Sequence, residues 1–285
     1  MPVNSPRESF KNILKGEECI FPASVFDPIS SRMAHDLGFE VGMFAGSIAS
    51  AVVLGSPDYI LLTLSEFAEQ SRRICRASDL PLMVDADHGY GNALNVSRTI
   101  EELENSGVSA ITIEDTKLPI SFNETSQGLI SLDEGKGKIN AALYARKDSQ
   151  LSIIARTSAV SIDSLAEGIN RAKEYEKLGA DGIFFTGITK IEELKEIFSE
   201  INIPILLGNL TEEISKKTFL SSVGVKIALQ GHLPFYAGLK SVYETMEALK
   251  NGVPTEQLNS NILKTDQTNK LINLEEFNQM IKKFL

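Results

Sequence analysis

The chain has 285 residues, 42% of them hydrophobic, and a formal net charge of −10, with a pI near 5.0. That length and apolar content suffice for one sizeable α/β core. The acidic balance argues against a nucleic-acid or anionic-membrane partner, because either needs a basic surface to neutralise phosphates.

No apolar stretch approaches the roughly 18 residues of a membrane span. The opening MPVNSPRESF has no basic segment followed by an apolar one, so a cytoplasmic protein acting on a small molecule is expected. Cys19 and Cys75 lack metal-ligand spacing and read as buried free thiols.

In chain order, residues 5–16 read as a short polar helix closed by Gly16, followed by a core strand over Ile20–Phe26. Asp27 and Pro28 open a helix that runs to Leu37 and stops at Gly38. Val41–Ala45 is the second strand, with the GSIAS segment (46–50) at its carboxyl end. An amphipathic helix from Ser65 to about Ala77 leads to the strand Pro81–Val84, which ends in Asp85 and Asp87. The next helix spans Asn92–Asn105 and is stopped by Gly107.

The same grammar repeats with strands at 110–113, 151–155, 182–186, 204–207 and 225–229, and helices at 134–146, 162–178 and 191–198. Eight strands separated by helices, with no G-x-G-x-x-G after the first, fit a closed (β/α)8 TIM-type barrel better than an open doubly wound sheet. A single barrel domain is expected over 1–250, with a C-terminal helical extension over 251–285 that serves as an oligomer contact.

In such a barrel the loops after the strands build the site, and polar residues gather there: Ser47, Asp85, Asp87, Glu114, Arg156, Asn209 and His232. Strand alternation puts Asp85 and Asp87 on one side, and Gly89 and Gly91 turn the chain into the next helix. Two like charges on an apolar strand call for a hard cation between them, unless they merely cap the helix or form the turn. A second acidic pair, Glu114 and Asp115, ends the neighbouring strand and favours the metal reading.

Arg156, a planar fork at the barrel mouth, either grips a substrate carboxylate or closes a salt bridge to Glu114 or Asp87. Ser47 offers a hydroxyl to an anion, or is ordinary turn chemistry. Of three histidines, His35 reads as structural, His88 sits among the acids in sequence, and His232 follows the last strand. The polar stretch Thr116–Asp133 is too long for a connector and reads as a mobile lid. No nucleophile constellation is present. Mg²⁺, with Mn²⁺ as an alternative, therefore carries the expected chemistry without an organic cofactor, polarising the ketone of a 2-keto acid.

GSIAS, VDADHGYGN, ITIEDT, GKGKI, IIART and GADGIF, in this order, resemble the isocitrate lyase and phosphoenolpyruvate mutase superfamily over roughly residues 20–245. ASVFDPIS, LTLSEFAEQ, DADHGYGNALNV and Gly231-His232 resemble its oxaloacetate decarboxylase branch in particular. The resemblance implies a lyase that decarboxylates oxaloacetate to pyruvate through an enolate, with the last barrel helix exchanged between subunits of a homotetramer, a dimer of dimers. It implies Asp85 as the direct metal ligand, Asp87 and Glu114 as holders of metal-bound waters, Ser47 and Arg156 on the keto-acid end of the substrate, and His232 as a substrate contact.

The lid TKLPISFNETSQG lacks the Cys of the superfamily's isocitrate-type lyases, which disfavours their reaction. A phosphonopyruvate or carboxyphosphonate mutase or hydrolase, another 2-keto acid lyase, and a keto-acid-binding protein without turnover are the alternatives.

Overall fold

The computed structural model describes residues 5–285. Contacts divide the chain into two compact units, one reaching to Gly231 and one spanning His232–Leu285.

The first unit is an eight-stranded sheet: β1 Ala23–Ser24, β2 Gly42–Phe44, β3 Leu82–Asp85, β4 Ala110–Glu114, β5 Ser152–Thr157, β6 Gly182–Phe185, β7 Ile205–Leu207 and β8 Val225–Ala228. All neighbouring strands are parallel and follow chain order. Nearly every strand residue is buried, as expected when helices cover a sheet of β-α-β units.

The sheet curls into an incompletely closed barrel, which differs from the full closure expected from the sequence. Its two ends meet only at Ile20 and Ile227, where Ile20 N–H donates to Lys226 O at 2.8 Å and Ala228 N–H donates to Ile20 O at 3.0 Å. The expected strand over residues 20–26 shrinks to that bridge and the two residues of β1 because Pro22, which has no N–H, separates them.

Helix starts follow local chemistry. Ser5 caps α1 (Pro6–Lys15), and a reciprocal Asp27–Ser30 box opens α2 (Pro28–Asp36). The GSIAS segment at the carboxyl end of β2 forms α3 (Gly46–Ala49), which runs into a π-helical turn over Ser50–Leu54 and ends at Gly55 with φ +64°.

A Thr63–Glu66 box opens α4 (Leu64–Cys75). Asn92 caps α5 (Ala93–Ser106), and Gly107 ends it at φ +94°. Then come α6 (Leu132–Ala145), α7 (Ala159–Ile162), α8 (Leu165–Leu178), α9 (Ile191–Glu200) and α10 (Lys217–Ser222). The helix expected over 162–178 is α8, which starts three residues later, and the short α7 precedes it. Asp163 leaves helical geometry, and the Ser164 hydroxyl accepts from Glu167 N–H to start α8.

α1 lies against the beginnings of the strands. Arg7 donates to Val108 O at 2.9 Å and pairs with Asp148 at 2.7 Å, and Lys11 pairs with Asp181 at 3.4 Å; these partners precede β4, β5 and β6. Phe10 is fully buried beneath the helix. The barrel end opposite the acidic cluster is thereby plugged, which leaves the carboxyl ends of the strands for chemistry.

The second unit comprises α11 (Leu233–Lys250), α12 (Thr255–Leu258), a 3-10 turn, α13 (Thr265–Leu271) and α14 (Leu274–Phe284). Phe235 is its only buried helical residue, and Tyr236, Leu239, Tyr243, Met246, Phe277 and Phe284 are exposed. No helix of the described residues is long and apolar enough to cross a membrane.

Phe10→Ala is expected to lower stability by about 3–5 kcal/mol, since the plug relaxes only partly around the lost ring. Urea denaturation followed by far-UV circular dichroism measures it.

Candidate active site

β3, β4 and β5 deliver the charged cluster. Their register places Asp85 opposite Thr112, and Glu114 opposite Arg156, which in turn is opposite Phe184 of β6. Thr112 and Glu114, two apart on β4, share a face by strand alternation. The Thr112 hydroxyl donates to Asp85 Oδ1 at 3.0 Å.

The Arg156 guanidinium forks between two acids. Nη1 donates to Asp85 Oδ2, and Nη2 lies 3.1 Å from Glu114 Oε2. Its Cζ sits 5.6 Å from the centroid of the Phe184 ring, an attractive cation–π placement. Burial alone would lower its pKa, but Asp85, Glu114 and Asp87 more than reverse that, so the charge is firmly held. Its Nε is buried without a partner.

Asp85 and Asp87 do not come together by strand alternation, as the sequence implied. β3 ends at Asp85, and Asp87 takes a left-handed φ of +47° in a tight turn. Its N–H faces Asp85 Oδ1 at 3.3 Å, and its carbonyl accepts from Glu114 N–H at 2.9 Å. Burial, then the negative charges of Asp85 and Glu114, push the Asp87 carboxyl well above the usual carboxylate range. Glu114 rises to about 7, again chiefly through burial, with Arg156 opposing and Asp85 adding to the rise.

Gly46, at the end of β2, is pressed against this turn: a Cβ there would lie 2.7 Å from Asp87 Oδ1. The next residue, Ser47, is half-buried in the first turn of α3.

Two residues that adjoin the acids in sequence lie elsewhere. His88 follows Asp87 in sequence, yet its ring lines a separate cavity with Lys138, and burial followed by the Lys138 charge lowers its pKa to about 4. Asp115, the first residue past β4, turns to α8. It is held by Arg171 at 3.1 Å and by Tyr175 Oη at 3.0 Å.

His232 begins α11 in the second unit and is half-buried there. Asp58, which sequence reasoning passed over, joins the cluster electrostatically. Lost hydration and the Asp85 charge raise its carboxyl, and Arg156 opposes. The available signal was an acid shortly after the GSIAS segment, in Ser56-Pro57-Asp58.

The lid segment is anchored at both stems. Thr116 bridges Leu129, and Lys117 N–H donates to Gly128 O at 2.7 Å. Arg171 links the stems, holding Asp115 at one end and donating to Ile130 O at 3.0 Å at the other.

Among the described residues no three acids converge on one point at ligand distance, because the Arg156 fork lies between Asp85 and Glu114. The donor chemistry nonetheless fits a hard divalent cation: the donors are all carboxylate oxygens, two of them resist ionisation without further positive charge, and the missing Cβ of Gly46 leaves the Asp87 carboxylate undisplaced.

The sequence profile of the phosphoenolpyruvate phosphomutase family matches residues 10–250. The chain belongs to this family. It is 54% identical over 252 residues to an oxaloacetate decarboxylase of Bradyrhizobium sp. (strain ORS 278), covering 88% of each chain. It is 53% identical to that of Rhodopseudomonas palustris (strain BisA53), covering 88% of this chain and 87% of the relative. Its fold superposes on a crystal structure of phosphoenolpyruvate phosphomutase from Streptomyces platensis subsp. rosaceus with a TM-score of 0.88 at 26% identity, over 98% of this chain and 99% of that one. These matches agree with the superfamily and the decarboxylase branch that the sequence motifs resemble.

Arg171→Met is expected to cost about 3–5 kcal/mol, because Asp115 stays buried without its cation, while Tyr175→Phe costs about 1 kcal/mol. Urea denaturation gives both values. Limited proteolysis is expected to cut within 116–131 sooner in Arg171→Met.

Proposed function

We propose that this chain decarboxylates oxaloacetate to pyruvate and CO₂. The observation that carries the reading is the buried Asp85–Arg156–Glu114 constellation at the strand ends, in a chain 54% identical to a protein named oxaloacetate decarboxylase. Asp85, Asp87 and Glu114 are the residues that would hold Mg²⁺ or Mn²⁺. A divalent cation there supplies Lewis-acid polarisation of the ketone oxygen.

Arg156 binds the carboxylate next to the ketone through two parallel hydrogen bonds, and the Ser47 hydroxyl donates to the same end of the substrate. His232 contacts the far carboxylate. When that carboxylate leaves as CO₂, the carbon–carbon bonding pair moves toward the ketone and leaves the enolate of pyruvate, which a proton from water or an acid quenches at carbon. Catalytic roles thus fall to Asp85, Arg156 and His232.

The same reading assigns residues 1–250 to a barrel domain that closes in the assembly by exchange of its last helix. Residues 251–285 become an oligomer contact in a dimer of dimers. The exposed Leu239, Tyr243 and Met246 of α11 support this, since one long helix face is left apolar.

A second reading is phosphonopyruvate chemistry, favoured by the structural likeness to a phosphoenolpyruvate phosphomutase. Phosphorus-31 NMR with phosphonopyruvate and Mg²⁺ separates the two.

Arg156→Ala and Asp85→Ala are each expected to lower Mg²⁺-dependent pyruvate formation from oxaloacetate by at least about 10²–10³-fold, the scale of removing one charge-stabilising group. His232→Ala is expected to lower it less. Full turnover by Asp85→Ala in chelator would remove the metal from the mechanism.

Raised carboxyls must lose protons before they bind a cation, and for Glu114 the change falls near pH 7. The rise in Tm caused by Mg²⁺ is therefore expected to grow between about pH 5.5 and about pH 8, and to vanish in Asp85→Asn.

A further inference from the structure

Under the lid, and apart from the carboxylate–arginine cluster, lies a cavity of about 420 Å³, within the size of small-molecule pockets. His88, Asn92, Thr116, Ser131, Glu134 and Lys138 line it. Two of these make it unusual. Lys138 is 3% exposed, and its ammonium forms no ion pair with any acid of the described residues. Its one hydrogen bond is to His88 O, at 2.9 Å. His88 is 6% exposed, and its Nδ1 is buried with no hydrogen-bond partner.

The negative charges of Glu134, Glu114 and Asp115 act on the ammonium from beyond ion-pair distance, yet neither it nor the His88 Nδ1 has a direct partner of the kind an anion provides, whereas buried charges are normally paired and buried polar atoms normally bonded. An ammonium has three donors, and two of those of Lys138 are uncommitted. The charge available is a single unit. Lys117 at the rim is matched by Glu124 at 2.6 Å, and Glu134 stands at the exposed mouth, where it repels a second negative charge.

We propose that this cavity binds a small monocarboxylate. The carboxylate is held by the Lys138 ammonium, with the His88 ring and the Thr116 hydroxyl as neutral partners. Because Lys138 also bonds the backbone one residue beyond Asp87, the occupant braces the turn that carries that acid.

The test titrates the intact protein with sodium acetate by calorimetry, at constant ionic strength with chloride as the balancing anion, and with sodium phosphate in parallel. One saturable acetate site per chain is expected. Lys138→Met should weaken it by about tenfold or more, and Lys138→Arg should retain it within a few-fold, as loss or retention of a charge-assisted bond implies. Arg156→Ala should leave it unchanged, which separates this site from the proposed active site whatever the latter's chemistry.

If Lys138→Met fails to fold, wild-type crystals soaked in acetate must show new density against Lys138 Nζ. Absence of saturable acetate binding, equal binding by Lys138→Met, loss in Arg156→Ala, or tighter binding of phosphate than of acetate would each overturn the assignment.

Discussion

One guanidinium holds the mouth of this barrel together. Three carboxylates gather where β3 and β4 end, and burial opposes the ionisation of two of them, Asp87 and Glu114. Arg156 is the cation that offsets them, reaching Asp85 with one nitrogen and Glu114 with another. The sheet register makes this arrangement obligatory. Glu114 pairs with Arg156 across β4 and β5, and Asp85 pairs with Thr112 across β3 and β4, so a slip of one residue would turn the cluster to the other face.

That compensation has a chemical meaning in the proposed reaction. A divalent cation that displaces the protons of Asp87 and Glu114 supplies the positive charge their ionisation needs, and an arginine relieved of their charge is free to take a substrate carboxylate. The Arg156 fork and a bound cation thus do the same electrostatic work at different stages. The Asp115–Arg171–Tyr175 network stands back to back with this cluster. It uses the next residue of the same strand end to staple the lid stems.

Much of this was legible in the sequence, and the particular failures have physical causes. Asp85, Glu114 and Arg156 each follow an apolar run that is long enough to define a strand, so their strand-end position was readable. Gly107 and Gly179, both at positive φ, mark helix ends as expected. Asp87 was placed beside Asp85 for the wrong reason: two-residue alternation applies only within a strand, and the chain turns left-handed at Asp87 itself.

His88 shows that sequence adjacency does not survive such a turn. GSIAS was legible only as the segment that follows the second strand; its small residues let the chain coil directly from β2 into α3. Asp58 carries no periodic signal and emerges only when the segment after the π-helical turn folds back toward Asp85. Full barrel closure was expected from the count of strands. Strand count says nothing of the proline that interrupts the first one.

The central claim is that Asp85, Asp87 and Glu114 hold a divalent cation and that Arg156 serves the substrate beside it. The most direct measurement is anomalous scattering from crystals of the protein grown with Mn²⁺ and oxalate. The account predicts one manganese peak bounded by those three carboxylates, with the Arg156 guanidinium on an oxalate carboxylate. A manganese peak elsewhere, or none while oxalate is bound, would contradict it.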